Sequence, residues 1–190
     1  ALGILQGRLK EKGVSTADLH PIKPGDQYDM GPFSIGFIRV NHSIADAVAI
    51  YVKTPVGTIL HTGDFKIDHT PVDGQVTGFN RFAELGDEGV LVMLSDSTNA
   101  ERPGFTMSER SVGASFDEKF RSAQNRIIIA SFSSNVHRLQ QAIDAAFKYG
   151  RKVAVIGRSM LNVVGIAIEL GYLKVADGVL IDISEINNYP

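Results

Sequence analysis

The spacing of hydrophobic residues changes near residue 95 and divides the chain into two parts. Before that point, the runs "GPFSIGFIRVNH", "AVAIYVKT" and "GTILHTG" are short, rich in β-branched residues and separated by Pro and Gly, which predicts strands. After it, continuous apolar runs alternate with segments whose apolar residues recur at helical spacing. The pattern predicts an α/β protein whose second part has a parallel sheet covered on both faces by helices.

The predicted helices are located by their end signals. The chain opens in a helix, because three early leucines share one helical face and Gly13 follows as a C-terminal stop. A short helix is predicted in "NRFAELG", and a capping box from Thr106 to Glu109 predicts the start of "MSERSVGASFDEKFRSA". Two more helices are "NVHRLQQAIDAAFKYG" and "SMLNVVGIAIELGY". The predicted strands of the second part are "GVLVMLSD", "RIIIASF", "KVAVIG" and "GVLIDIS".

Composition narrows the chemistry of the chain. Its 190 residues contain no Cys, which excludes disulfides and thiolate zinc sites, and its net charge of -2 excludes a surface coated with positive charge. A nucleic-acid ligand therefore requires a local basic groove. No apolar run reaches membrane-spanning length and no signal peptide is visible. We expect a cytoplasmic protein with no membrane partner.

Two metal-ligand side chains follow apolar strands in the first part. His42 comes after the strand that ends near Val40, and Asp64 comes two strands later, beyond a "TPVG" turn. If these strands are antiparallel neighbours, His42 and Asp64 meet at the same end of the sheet. Imidazole and carboxylate ligands suit zinc or manganese, and a carboxylate can bridge two metals. The alternative is that both residues are structural, since a catalytic zinc needs about three protein ligands.

Small and polar residues end the predicted parallel strands of the second part, where open α/β sheets bind ligands. One such turn, residues 133–135, opens a helix, so its free N–H groups and the helix dipole favour an anion. His137 and Arg138 follow within one turn and add positive charge, and Arg158 and Ser159 occupy a similar turn. The alternative is that these polar residues are only helix N-caps. The turn consists of Ser133, Ser134 and Asn135.

Three stretches resemble a known family. "VNHSIADAVAIYVKTPVGTILHTGDFK" is similar to the third and fourth metal motifs of the metallo-β-lactamase superfamily. "LSDSTNAERPGFTMSER" and "ASFSSNVHRLQQAI" resemble bacterial ribonuclease J, of the β-CASP branch. The resemblance implies that residues 1–95 are part of a metallo-β-lactamase αββα sandwich. It implies that residues 96–190 are the first half of a parallel-sheet β-CASP domain.

The resemblance also implies a chemistry. In this family His42 would ligate one metal, Asp64 would bridge two, and Asp96 would be the acid that orients a metal-binding His. The cofactors would be two divalent ions, zinc or alternatively manganese. The whole enzyme would hydrolyse RNA internally and from the 5′ end, as a homo-oligomer. Residues Ser133, Ser134, Asn135 and His137 would receive the 5′-monophosphate of the RNA.

The family's signature His-x-His-x-Asp-His, which supplies most metal ligands, is absent from the sequence, as are the later histidine motifs. We therefore expect an internal fragment that binds metal weakly and is inactive alone. The rival hypothesis is a non-catalytic phosphate- or nucleotide-binding α/β module. A small-molecule hydrolase of the same superfamily is a third hypothesis, and "SDSTN" and "FSSNVHRLQ" argue against it because such enzymes do not need the inserted α/β region.

Overall fold

The computed structural model describes residues 2–14 and 17–189. They fall into two compact units, one formed mainly by residues 8–42 and 46–108 and the other mainly by residues 109–190. The helices are α1 Leu2–Glu11, α2 Phe79–Glu88, α3 Arg110–Ser122, α4 Val136–Lys148 and α5 Arg158–Glu169, followed by a 3₁₀ helix at Ile183–Asn188. The strands are β1 Gln27–Met30, β2 Phe33–Arg39, β3 Val48–Thr54, β4 Gly57–His61, β5 Val92–Leu94, β6 Val153–Ala154 and β7 Leu180–Ile181.

The first unit is built on a five-stranded sheet in the order β1-β2-β3-β4-β5. Strands β1 to β4 are antiparallel neighbours, and β5 pairs parallel to β4. Successive side chains of a strand point to opposite faces, so alternate residues of β2, β3 and β4 reach the core. The buried core residues of this unit are Ile38, Val40, Ala49, Tyr51, Leu60 and, from α2, Leu85.

Close packing inside this sheet depends on one glycine. Gly36 lies opposite Tyr51 in the β2–β3 register. A Cβ atom at Gly36 would lie 2.1 Å from the Tyr51 ring, which is buried. The position therefore accepts only glycine unless the tyrosine moves, and the pair fixes the register of the two strands.

The second unit contains the parallel strands β6 and β7, helices α3, α4 and α5, the 3₁₀ helix, and residues 3–7 of α1. Helices α4 and α5 bury their apolar faces in one core, and α3 packs on α4 through Phe120. These helices form because their apolar residues recur at helical spacing. The buried residues of the larger core are Val136, Ile143, Val163, Val164, Ala167, Leu173 and Val179.

The α/β class is confirmed, but three local predictions are wrong. Helix α3 begins at Arg110, with Glu109 as its N-cap residue. The Glu109 side chain makes no capping hydrogen bond to the helix, so the predicted capping box does not form. Residues 126–132 form no strand. The segment "GVLVMLSD", predicted as a strand of the second part, forms only the three exposed residues of β5, which pairs with β4 in the first unit. A strand is stable only beside a hydrogen-bonding neighbour, and no described segment pairs with residues 126–132.

The assignment of residues 1–95 and 96–190 to two domain families stays a prediction. Among the helices in the described part of the chain, none combines the length and apolar character needed to cross a bilayer.

Candidate functional site

Strand order brings His42 and Asp64 together in the first unit. The chain leaves β2 at Arg39 and forms an isolated antiparallel bridge between Asn41 and Lys66, in which the Lys66 N–H donates to the Asn41 carbonyl at 2.8 Å. This bridge holds the residue before His42 beside the segment that follows Asp64. The His42 Nε2 atom lies 3.8 Å from the Asp64 Oδ2 atom. Side chains 22 residues apart in sequence thus share one end of the sheet, as their strand order predicts.

The loop that carries Asp64 is fixed by its backbone. Gly63 has a φ of +61°, and a Cβ there would lie 2.9 Å from the Val48 carbonyl oxygen. Its N–H donates to the Nδ1 atom of His61 at 3.0 Å. His61 itself is exposed, because it alternates with the buried Leu60 along β4. Asp64 projects outward, with 77% of its side chain exposed against 32% for His42.

Asp96 lies beyond the carboxyl end of β5, beside the same loop. Its N–H donates to the Thr62 hydroxyl at 2.9 Å, and its Oδ2 accepts from the Phe65 N–H at 3.3 Å. Its Oδ1 accepts from the Thr98 hydroxyl at 2.6 Å and from the Thr98 N–H at 3.0 Å. These bonds, the Thr98 hydroxyl first, lower the pKa of Asp96, and the charge of nearby His42 lowers it further. The carboxylate is therefore held ionised next to the Asp64 loop.

A buried amide network that no pattern in the sequence predicts supports the His42 side of this site. The Asn41 Oδ1 atom accepts from the Thr77 N–H at 3.1 Å and from the Thr77 hydroxyl at 3.0 Å. The Asn41 Nδ2 group donates to the Gln75 carbonyl at 2.6 Å. Buried polar groups cost stability unless they are paired, so this network fixes the residue before His42. Its only sequence signal is an Asn at the end of an apolar run.

The predicted phosphate turn lies in the second unit, at the start of α4. Asn135 is buried and caps the helix, because its side-chain oxygen accepts from the Arg138 N–H at 3.2 Å. The Ser133 and Ser159 hydroxyl oxygens lie 2.9 Å apart, so the turns that precede α4 and open α5 meet here. Ser134 and His137 are half-buried beside them.

The cation predicted at Arg138 is already paired within this unit. Its guanidinium donates to both carboxylate oxygens of Glu109, at 2.9 and 3.0 Å. A bidentate pair of this kind satisfies the charge and fixes its direction. Arg138 therefore ties the start of α3 to α4 and does not supply the positive charge expected at the turn.

Comparison with known proteins identifies the family. A profile described as "Ribonuclease J, beta-CASP domain" matches residues 124–190. The chain is 46% identical to Ribonuclease J of Thermus thermophilus, over 100% of this chain and 33% of that protein. It is 48% identical to Ribonuclease J 1 of Streptococcus pyogenes, over 99% of this chain and 34% of that protein. The chain belongs to the ribonuclease J family.

The chain spans about a third of the length of these ribonuclease J relatives. Among solved structures, a protein of unknown function from Enterococcus faecalis V583 superposes with a TM-score of 0.63. It is 16% identical, and the match covers 89% of this chain and 42% of that one. At this identity the likeness shows a shared fold and nothing of function.

The His42–Asp64 pair has the right types of ligand atom for a metal ion, but too few of them. Imidazole nitrogen and carboxylate oxygen are zinc ligands, and their separation of 3.8 Å is near the ~3.4 Å between two ligands of a tetrahedral ion. Over residues 2–14 and 17–189, no group of three or more His, Asp or Glu side chains is placed to hold a metal. A catalytic zinc takes three protein ligands. Within the described residues, His42 and Asp64 are therefore two possible donors, one fewer than a catalytic zinc takes.

Proposed function

We propose that the chain is part of a metal-dependent ribonuclease that hydrolyses RNA phosphodiesters. The main support for this proposal is that His42 and Asp64 converge beside the ionised Asp96. The chain that carries them is homologous to ribonuclease J over its whole length. The rival hypothesis of a non-catalytic binding module is not favoured, because the relatives are named ribonuclease J.

Each site residue has a proposed role. His42 and Asp64 would hold metal, zinc or alternatively manganese, and Asp64 would be the ligand shared by two ions. Bound metal would supply an activated water and stabilise charge on the reacting phosphate. Asp96 accepts from the N–H of a further metal-binding His contributed by the longer protein, which orients that ring. Because the described residues supply two donors, the 190-residue chain alone binds metal weakly and does not cleave RNA.

The turn at the start of α4 is proposed to receive the RNA 5′-monophosphate. Ser133 and Ser134 would donate hydroxyl and backbone hydrogen bonds, and the first-turn dipole of α4 would favour the negative charge. Asn135 keeps the turn in place by capping the helix, and His137 adds a donor. The full-length protein is further proposed to act from the 5′ end and internally, in the cytoplasm, as a homo-oligomer.

The test uses the full-length protein with a labelled RNA bearing either a 5′-monophosphate or a 5′-hydroxyl. Asp64→Asn is expected to slow cleavage by more than about 100-fold, because it removes a proposed metal ligand. Ser133→Ala should reduce the preference for the monophosphate end and leave internal cleavage intact. Asp87→Asn is the matched control, since Asp87 is exposed on α2 of the same unit. Cleavage by Asp64→Asn at the control rate would contradict the proposal.

A further inference from the structure

A buried carboxylate lies next to the candidate site and outside its predicted residues. Only 1% of the Asp68 side chain is exposed, and the Lys66 ammonium, 21% exposed, lies 3.6 Å from its Oδ2 atom. An ionised carboxylate is costly to bury unless it is paired and hydrogen-bonded. Asp68 is therefore held in place by specific partners.

Those partners come from two segments of the chain. The Asp68 Oδ1 atom accepts from the Thr70 N–H at 3.0 Å, which closes a tight turn. Its Oδ2 atom lies 3.1 Å from the Ser108 hydroxyl, a donor that also reaches the Thr70 carbonyl at 3.0 Å. The Thr70 hydroxyl donates to the Ser108 oxygen at 3.0 Å. Residues 66–70 and Ser108 thus form one polar cluster around the carboxylate.

The position of this cluster connects it to the site. Asp68 lies four residues after Asp64, and Ser108 lies twelve residues after Asp96. The segment between Asp64 and Asp68 is already bound at its start, where the Phe65 N–H donates to Asp96 and the Lys66 N–H to the Asn41 carbonyl. Asp68 anchors the far end of the same segment. The segments leaving both acids of the site are therefore joined through one buried carboxylate.

We propose that Asp68 is a positioning residue, which holds the Asp64 loop in the geometry that metal binding requires. The inference rests on the proposed function of His42 and Asp64. When an amide replaces the carboxylate, the Ser108 hydroxyl and the Lys66 ammonium lose their shared acceptor Oδ2, and residues 65–70 become less ordered. Asp64 then has to be ordered when metal binds, and that ordering weakens the affinity.

The test measures the zinc affinity of the full-length protein by competition with a chromophoric chelator. Asp68→Asn is expected to raise the zinc Kd by about tenfold, and to speed hydrogen exchange at the Phe65 and Lys66 amides. Ser108→Ala should raise the Kd by a smaller factor, and the two changes should be less than additive because they disrupt one cluster. Asp87→Asn, which removes the same charge from an exposed position on α2 of the same unit, should leave the Kd unchanged.

A purely structural role predicts a different result. In that case Asp68→Asn lowers the unfolding temperature but leaves the zinc Kd, measured well below that temperature, equal to the parent value, which overturns the inference. If Asp68→Asn does not fold, Ser108→Ala decides alone, because it keeps the carboxylate and Lys66, and an unchanged Kd overturns the inference as well. An unchanged Kd in His42→Ala instead refutes the proposed function, so the two failures are distinguishable.

Discussion

At the scale of single residues, Thr62 connects the two acids of the site. It is buried, its hydroxyl accepts from the Asp96 N–H at 2.9 Å, and the same hydroxyl donates to the Gly63 carbonyl at 2.8 Å. Thr62→Val keeps the shape of the side chain but leaves both backbone groups without this partner. We expect the free energy of unfolding to fall by about 1–3 kcal/mol, measured by urea denaturation.

Thr58→Val is the control for this prediction. Thr58 is buried on the adjacent strand β4, and no side-chain hydrogen bond of its hydroxyl is present in the described part of the chain. Its loss should therefore change the free energy of unfolding by less than about 0.5 kcal/mol. Equal effects of the two substitutions would show that the Thr62 hydroxyl bonds contribute nothing specific.

The residues of the site differ in how far sequence could predict them. The meeting of His42 and Asp64 was predictable, because antiparallel strand order alone brings their ends together. The supporting residues were not. Asn41 pairs with Thr77 and Asp68 with Ser108, 36 and 40 residues apart, and no periodic pattern links such partners. Polar networks depend on side-chain directions that exist only after the sheet is built.

At the scale of elements, a second carboxylate besides Glu109 joins helices α3 and α4. Asp117 of α3 bonds to Lys148, to Arg121 at 2.6 Å and to the Tyr149 hydroxyl at 2.9 Å. These bonds, that of Lys148 first, hold the pKa of Asp117 well below its ordinary value. A carboxyl whose pKa is lower in the folded protein adds stability above its unfolded pKa, and loses it as the pH falls towards the folded one.

Asp117→Asn removes the charge of this carboxylate. At neutral pH the variant should unfold at a lower urea concentration than the parent, and the gap should shrink as the pH falls below about 4, the ordinary aspartate pKa. Glu118→Gln, an exposed neighbour on α3, should show no such gap. Urea denaturation over a series of pH values measures both variants. A gap that stays constant down to the lowest pH would rule out the ionic origin of the link.

Helices were predicted better than strands for a physical reason. The hydrogen bonds of α4 and α5 are local, so the spacing of apolar residues was enough to predict where both helices lie. Strands depend on neighbours that local pattern does not specify. The run 126–132 has the composition of a strand, yet Ile128 is 94% exposed and the run is unpaired within the described residues.

At the scale of the whole molecule, the chain spans about a third of the length of its relatives, and many of its large hydrophobic side chains are exposed. Strand β5 ends the order of the five-stranded sheet, so one of its sides has no strand partner among the described residues. Its residues Val92, Met93 and Leu94 are 44%, 57% and 50% exposed. Unpaired, apolar edge strands are the common route to association between copies.

The exposed edge of β5 should cause copies of the chain to associate. The 190-residue chain should associate as its concentration rises, and Val92→Lys should shift it towards the monomer, since a lysine at an edge strand opposes pairing with a second copy. Val56→Lys is the control, because Val56 is 83% exposed at the β3–β4 turn and adds the same charge away from the edge. Sedimentation velocity at several concentrations distinguishes the variants. A monomeric parent at every concentration, or equal effects of both lysines, would exclude β5 as the associating surface.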